Sequence, residues 1–168
     1  MSSILKVDTI QTTAGAAPTT KDLGFAAGSI IQVVANNFTS AHVTTTSTSF
    51  VSMGSAFSLA ITPKFNNSLI LIDVQLNPYV SGSSSSGNYN IHNGTALIGH
   101  STGGFGTAPN HGTASGIYSH FTIHASDTVS STSARTYQIY HRSDNGSVTF
   151  YGNHANRTNT IRLMEIAQ

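Results

Sequence analysis

Eight histidines stand against only six carboxylates in this chain, an excess that invites a metal or acid–base reading. His120 and His124 form the sharpest pair, because a strand places residues i and i+4 on one face. At ~3.3 Å per residue they lie ~13 Å apart, too far to share one ion. A metal would then need a histidine from another strand, or one histidine repeated about the threefold axis of a trimer. Solvated or hydrogen-bonded histidine is the simpler reading, so no metal site and no cofactor is expected. The many hydroxyls allow a Ser-His-Asp arrangement on paper, but the sequence holds no G-x-S-x-G elbow, and no catalytic residue is assigned. Paired carboxylates for sugar hydrolysis would have to come from Asp73, Asp127, Asp144 and Glu165. Asp127 and Asp144 sit in turn contexts, where Asp commonly bonds its own backbone. Gly103-Gly104-Phe105-Gly106 follows no strand–helix signal and reads as a loop rather than a phosphate cradle.

Recognition by stacking is the other chemistry on offer. Tyr79, Tyr89, Phe105, Tyr118, Tyr137, Tyr140 and Tyr151 can pack on sugar rings where they are exposed, whereas Phe121 and Phe150 alternate with polar residues and read as core. The longest Gly- and Ser-rich loops, 80–88 and 101–116, flank Asn93-Gly94. Loops carry recognition when a rigid sheet positions them. The candidate contacts to a host-surface glycan or protein are therefore Tyr89, His92, His100, Phe105 and His111.

The elements that must position these residues are strands. From residue 29 onward, runs rich in β-branched and aromatic residues recur between turn signals. Expected strands cover 29–35, a Thr-rich stretch at 43–53, then 57–61 stopped by Thr62-Pro63. Leu69–Leu76 opens apolar on both faces, the mark of a central strand. Two hairpins are expected, 89–92 with 95–100 across Asn93-Gly94, and 135–142 with 147–151 across Asp144-Asn145-Gly146. A strand over 117–124 has one apolar and one polar-aromatic face, and a final strand at 160–166 puts Ile161 and Leu163 opposite Arg162, Met164 and Ile166. About eight to ten strands and no helix predict an antiparallel β-sandwich, jelly-roll-like, over 29–168. Residues 1–28 read as an extended arm whose Ile4, Leu5, Val7 and Ile10 anchor it to another protein.

Composition agrees with that architecture. Hydrophobic residues make up 38% and charged residues only 8%, against about 25% charged in ordinary domains. Ser (24), Thr (22), Asn (13) and Gly (15) supply the polar surface instead, and all four are poor helix formers. A surface of hydroxyls and amides suits subunit contacts, because it buries no charge that would need pairing. A homotrimer is expected. Net charge is +1 with the seven basic residues scattered, so no nucleic-acid partner is expected. No run approaches the ~20 apolar residues of a membrane span, and the opening MSSILKVDTI lacks a long apolar h-region, so neither membrane insertion nor an export leader is expected. The absence of Cys excludes disulfides and thiolate metal sites.

The opening Ser3-Ile4-Leu5-Lys6-Val7-Asp8-Thr9-Ile10-Gln11 resembles the S-x-L-K-V-x-T-I-Q start of small structural proteins of marine tailed phages such as cyanophages. The likeness continues in Gly28-Ser29-Ile30-Ile31-Gln32, in Ile61-Thr62-Pro63-Lys64-Phe65 with the strand after it, and in the ending at 161–167. It leaves 77–135 unmatched. The resemblance implies a virion component, tail-fibre-like or capsid-fibre-like, whose N-terminal arm joins other virion proteins. The expected function is thus a non-enzymatic trimeric fibre or knob on the particle. A capsid decoration or cementing protein is the alternative, and a glycan depolymerase stands further off.

Overall fold

The structure, a computed structural model, describes residues 24–80, 86–108, 117–146 and 149–168. Its strands in chain order are β1 (Ile30–Thr39), β2 (Val43–Thr45), β3 (Val51–Ser52), β4 (Ser58–Ile61), β5 (Leu69–Leu76), β6 (Tyr79–Val80) and β7 (Gly87–His92). They continue with β8 (Gly106–Ala108), β9 (Ile117–Tyr118), β10 (Phe121–Thr128), β11 (Arg135–Ser143), β12 (Phe150–Asn153) and β13 (Thr158–Ile166). One short 3-10 turn, Ser55–Phe57, interrupts them. No helix among the described residues is long and apolar enough to cross a membrane.

These strands build an antiparallel β-sandwich. One sheet has the order β1-β13-β5-β10, and the other runs β3-β11-β7-β8 with β4 also on β11. A smaller third sheet runs β2-β12-β6-β9. Its members are the chain continuations of the first sheet's strands, in the same order, so all four strands are interrupted at one level. Three buried asparagines satisfy the broken ladder there. Asn159 Oδ1 accepts from the Asn77 amide nitrogen at 3.2 Å, its Nδ2 donates to Asn153 Oδ1 at 2.9 Å, and Asn77 Nδ2 donates to Thr158 O at 2.7 Å.

The central strand is β5, flanked by β13 and β10, as its two-sided apolar run implies. Ile70, Ile72, Val74 and Leu76 face inward with Ile161, Leu163 and Ile123 and join Tyr137, Ile139, Tyr89 and Ile91 from the opposite sheet in one core. Edge-on ring contacts tie the layers: Phe38 meets Phe57 at 5.0 Å and Tyr89 meets Phe150 at 5.6 Å.

Both expected hairpins are corrected. The chain reverses at Asp144-Asn145-Gly146, but β11 lies between β3/β4 and β7, while β12 pairs with β2 and β6 in another sheet. The turn crosses between layers rather than folding one ladder. At Asn93-Gly94 the turn forms, with Gly94 at φ 88° and Asn93 N donating to Ala96 O at 3.0 Å. Its return arm pairs with β7 only at His92 opposite Leu97, where Ile98 N donates to Ile91 O at 2.9 Å, and β8 takes that edge of β7 from Tyr89 to Gly87, so the expected hairpin is shortened. The stretch 43–53 splits into β2 of the third sheet and β3 of the opposite layer, and 117–124 splits into β9 and β10 across the break described above.

His141, on the inward face of β11, is 1% exposed, and its Nδ1 has no hydrogen-bond partner among the described residues. Burial lowers its pKa from 6.5 to about 4. The unfolded chain takes up a proton below pH 6.5 that the folded chain refuses until about 4. Stability is therefore intact above pH 6.5 and falls through that window by about 3 kcal/mol in total. Denaturant melts between pH 7 and 4 should show a shallower loss in His141→Leu than in the wild type; equal slopes would contradict this.

Candidate functional site

The structure disperses the sequence-based recognition set. Tyr89 is corrected outright: it is fully buried and its hydroxyl donates to Gly152 O at 2.7 Å, an environment that pushes the phenol pKa well up through burial. His92 is half-buried and stacked on Tyr140, with ring centroids 5.2 Å apart. Its Nδ1 accepts from Gly94 N at 3.1 Å. Phe105 packs against the core. His100 is exposed, yet its Nδ1 accepts from Thr102 N and Gly103 N of its own loop at 3.3 and 3.1 Å. Loop ends 87 and 108 do meet, since Gly87 pairs with Ala108, but the Asn93-Gly94 turn lies at the other end of β7. His111 and the residues expected to anchor the arm, Ile4, Leu5, Val7 and Ile10, lie outside the described residues.

The carboxylates of the described residues are engaged in structural bonds. Asp127 Oδ2 accepts from Arg135 Nη1 and the Tyr137 hydroxyl, both at 2.9 Å, and from Asn93 Nδ2 at 3.1 Å. Burial, and Asp127 beside it, raise the Tyr137 pKa. Asp144 pairs with Arg142 at 3.1 Å. Asp73 pairs with His124 at 2.8 Å, so the His120/His124 pair is divided, and no cluster of metal-ligating residues is present among the described residues.

What stands out is the outward face of the first sheet. Cross-strand register sets residues side by side in rows on it. One row is Val33, Met164, Leu71 and Ser126; the next is Ala35, Arg162, Asp73 and His124; the third is Asn37, Thr160, Gln75 and Thr122. At the apolar end, Ile30 opposes Ile166, which opposes Leu69. Val33 and Ile30 are 53% and 59% exposed. An apolar end therefore grades through a row that carries Arg162 and Asp73 into a polar one.

Beyond the strand breaks that face becomes aromatic. Phe150 and Gly152 are buried toward Tyr89 and His141, so alternation turns Tyr151 outward. Tyr151 pairs with Tyr79, and Tyr79 with Tyr118. Their rings lie 5.6 and 5.0 Å apart, and Tyr118 is 54% exposed. His154 sits 5.1 Å from Tyr79 and 4.8 Å from Tyr118, and His42 sits 4.5 Å from His154. The Arg157 guanidinium lies over the Tyr118 ring at 5.0 Å. Residue type had singled out the three tyrosines as possible stackers, but not His42, His154 or Arg157. Those three lie in connections beside β2 and β12, which the pairing of distant segments brings against Tyr79 and Tyr118, and no local spacing marks them.

No family model matches the chain, and no curated protein is similar to it in sequence.

Proposed function

We propose that the chain is a structural subunit of a tailed-phage particle, a short fibre or knob that works as a homotrimer and is joined to other virion proteins through residues 1–28. The observation that carries this reading is the outward face of the β1-β13-β5-β10 sheet. Ile30 and Val33 stand in solvent there beside half-buried Leu71 and Met164, next to the Arg162, Asp73 and His124 row. A single chain gains nothing from apolar rows on an open sheet, whereas neighbouring copies in a closed ring cover them. A cyclic assembly also keeps the three N-terminal segments at one end, as attachment to a particle requires.

Reading the sandwich as a jelly roll is supported by the order β1-β13-β5-β10 against β3-β11-β7-β8, in which successive segments alternate between layers. The non-enzymatic reading draws support from the carboxylates among the described residues, each tied to a structural partner rather than paired across an open cleft.

Purified particles test the assignment. Cryo-EM should place threefold knobs of this chain on the tail or on fibres of the capsid. Density that clamps neighbouring shell subunits would make it a decoration protein, and absence of the chain from purified particles would overturn the reading.

A further inference from the structure

We infer that the aromatic cluster of the small sheet is a binding site for an acidic sugar, a pyranose carrying a carboxylate such as a hexuronate within a polysaccharide. The inference rests on the proposed function only for where that sugar would be met, on a host surface. Its grounds are local.

Tyr79, Tyr118, Tyr151, His42 and His154 form one continuous set of ring contacts at 4.5–5.8 Å on the outside of the molecule. Aromatic rings gathered in this way are ordinarily core, where their large apolar area is removed from water. Here the outermost ring, Tyr118, keeps 54% of its surface exposed. A flat apolar ring edged by hydroxyl and imidazole groups matches the C–H face of a pyranose and the hydroxyls around it.

Charge selects the acidic class. Among the described residues the carboxylates are already occupied: Asp73 by His124, Asp127 by Arg135, Asp144 by Arg142, and Glu165 in a buried cradle. Arg157 has none of them, and its guanidinium lies over the π face of Tyr118. A guanidinium held in this way presents its remaining N–H groups as a fork suited to a carboxylate. The cluster itself contains no acidic residue to repel that anion.

The test uses the full chain with a galacturonate trisaccharide and a neutral glucose trisaccharide as probes, followed by tyrosine and histidine NMR resonances. The acidic probe should bind saturably and the neutral one about tenfold more weakly, a difference of one charge-assisted contact. Arg157→Gln should reduce acidic binding about tenfold and leave neutral binding unchanged, and Tyr118→Ala should weaken both by a similar factor. Tyr118→Phe, which keeps the ring, should bind close to the wild type and controls for folding. Equal binding by wild type, Tyr118→Ala and Arg157→Gln, or no saturable shift with either probe, would overturn the site. Loss of assembly mass in Tyr118→Ala would also overturn it, by showing that a second copy covers the cluster. A wild-type monomer that still binds the acidic probe would leave this inference standing while the trimer reading falls.

Discussion

Gly104→Ala should cost the domain much of its stability. Gly104 has φ 56°, and a Cβ built on it would lie 1.9 Å from the Tyr89 carbonyl oxygen and 2.8 Å from its carbon. Neither atom can give way. Tyr89 O accepts from Phe105 N at 2.8 Å, and the Tyr89 ring is fully buried between Phe121 and Phe150. Relief requires pulling the 100–105 segment off β7, which would open the core beneath it. We expect a loss on the order of 4 kcal/mol, a large fraction of the stability of an ordinary domain. Gly94→Ala makes the control: φ is 88°, yet the nearest atom to its Cβ would be 3.7 Å away, so the cost should be only the conformational one, about 1 kcal/mol. Urea melts of the two variants check this, and a native-like midpoint for Gly104→Ala would contradict the packing described.

Glu165→Ala should be the most damaging change to a polar side chain. Glu165 is fully buried at the end of β13. Its Oε1 accepts from Lys64 N at 2.8 Å, Phe65 N at 3.1 Å and Ser68 Oγ at 2.7 Å, and its Oε2 accepts from Gln32 Nε2 at 2.6 Å. One carboxylate thus fastens the 62–68 connection, β1 and β13 together. Truncation strands those donors out of water, at about 3–5 kcal/mol in sum. Glu165→Gln retains one acceptor oxygen and should fall between the two. A loss below about 1 kcal/mol for Glu165→Ala, the scale of a solvent-exposed pair, would show that the cradle does not fasten this corner.

Local pattern made the sandwich legible and left the pairing hidden. The run Leu69–Leu76 reads as central because both faces begin apolar, and β5 lies between two partners for that reason. The alternation Ile161, Leu163 against Arg162, Met164 puts the right side chains of β13 inward. Asp144-Asn145-Gly146 announces a reversal, but a turn does not state which sheet receives the next strand. Ile30 opposing Ile166 is a contact between the two ends of the sandwich, and nothing local encodes it. Tyr89 was misplaced for a related reason. Every residue from Gly87 to Ile91 is buried, so β7 carries no period-two signal to separate inside from outside, and its Ser- and Gly-rich flank suggested a surface. The aromatic cluster was half-visible as three tyrosines, but the ladder that aligns Tyr151, Tyr79 and Tyr118 runs between segments far apart in sequence.

The solution mass of the intact chain tests most directly whether the outward face of the β1-β13-β5-β10 sheet is an assembly surface. Multi-angle light scattering should give three times the 17.6 kDa chain mass for the wild type. Val33→Glu should give a folded single chain, because Val33 is 53% exposed in the subunit and its replacement costs the fold little while placing a charge in the contact. A wild-type chain that stays at 17.6 kDa, or a Val33→Glu chain that keeps the threefold mass, would contradict it.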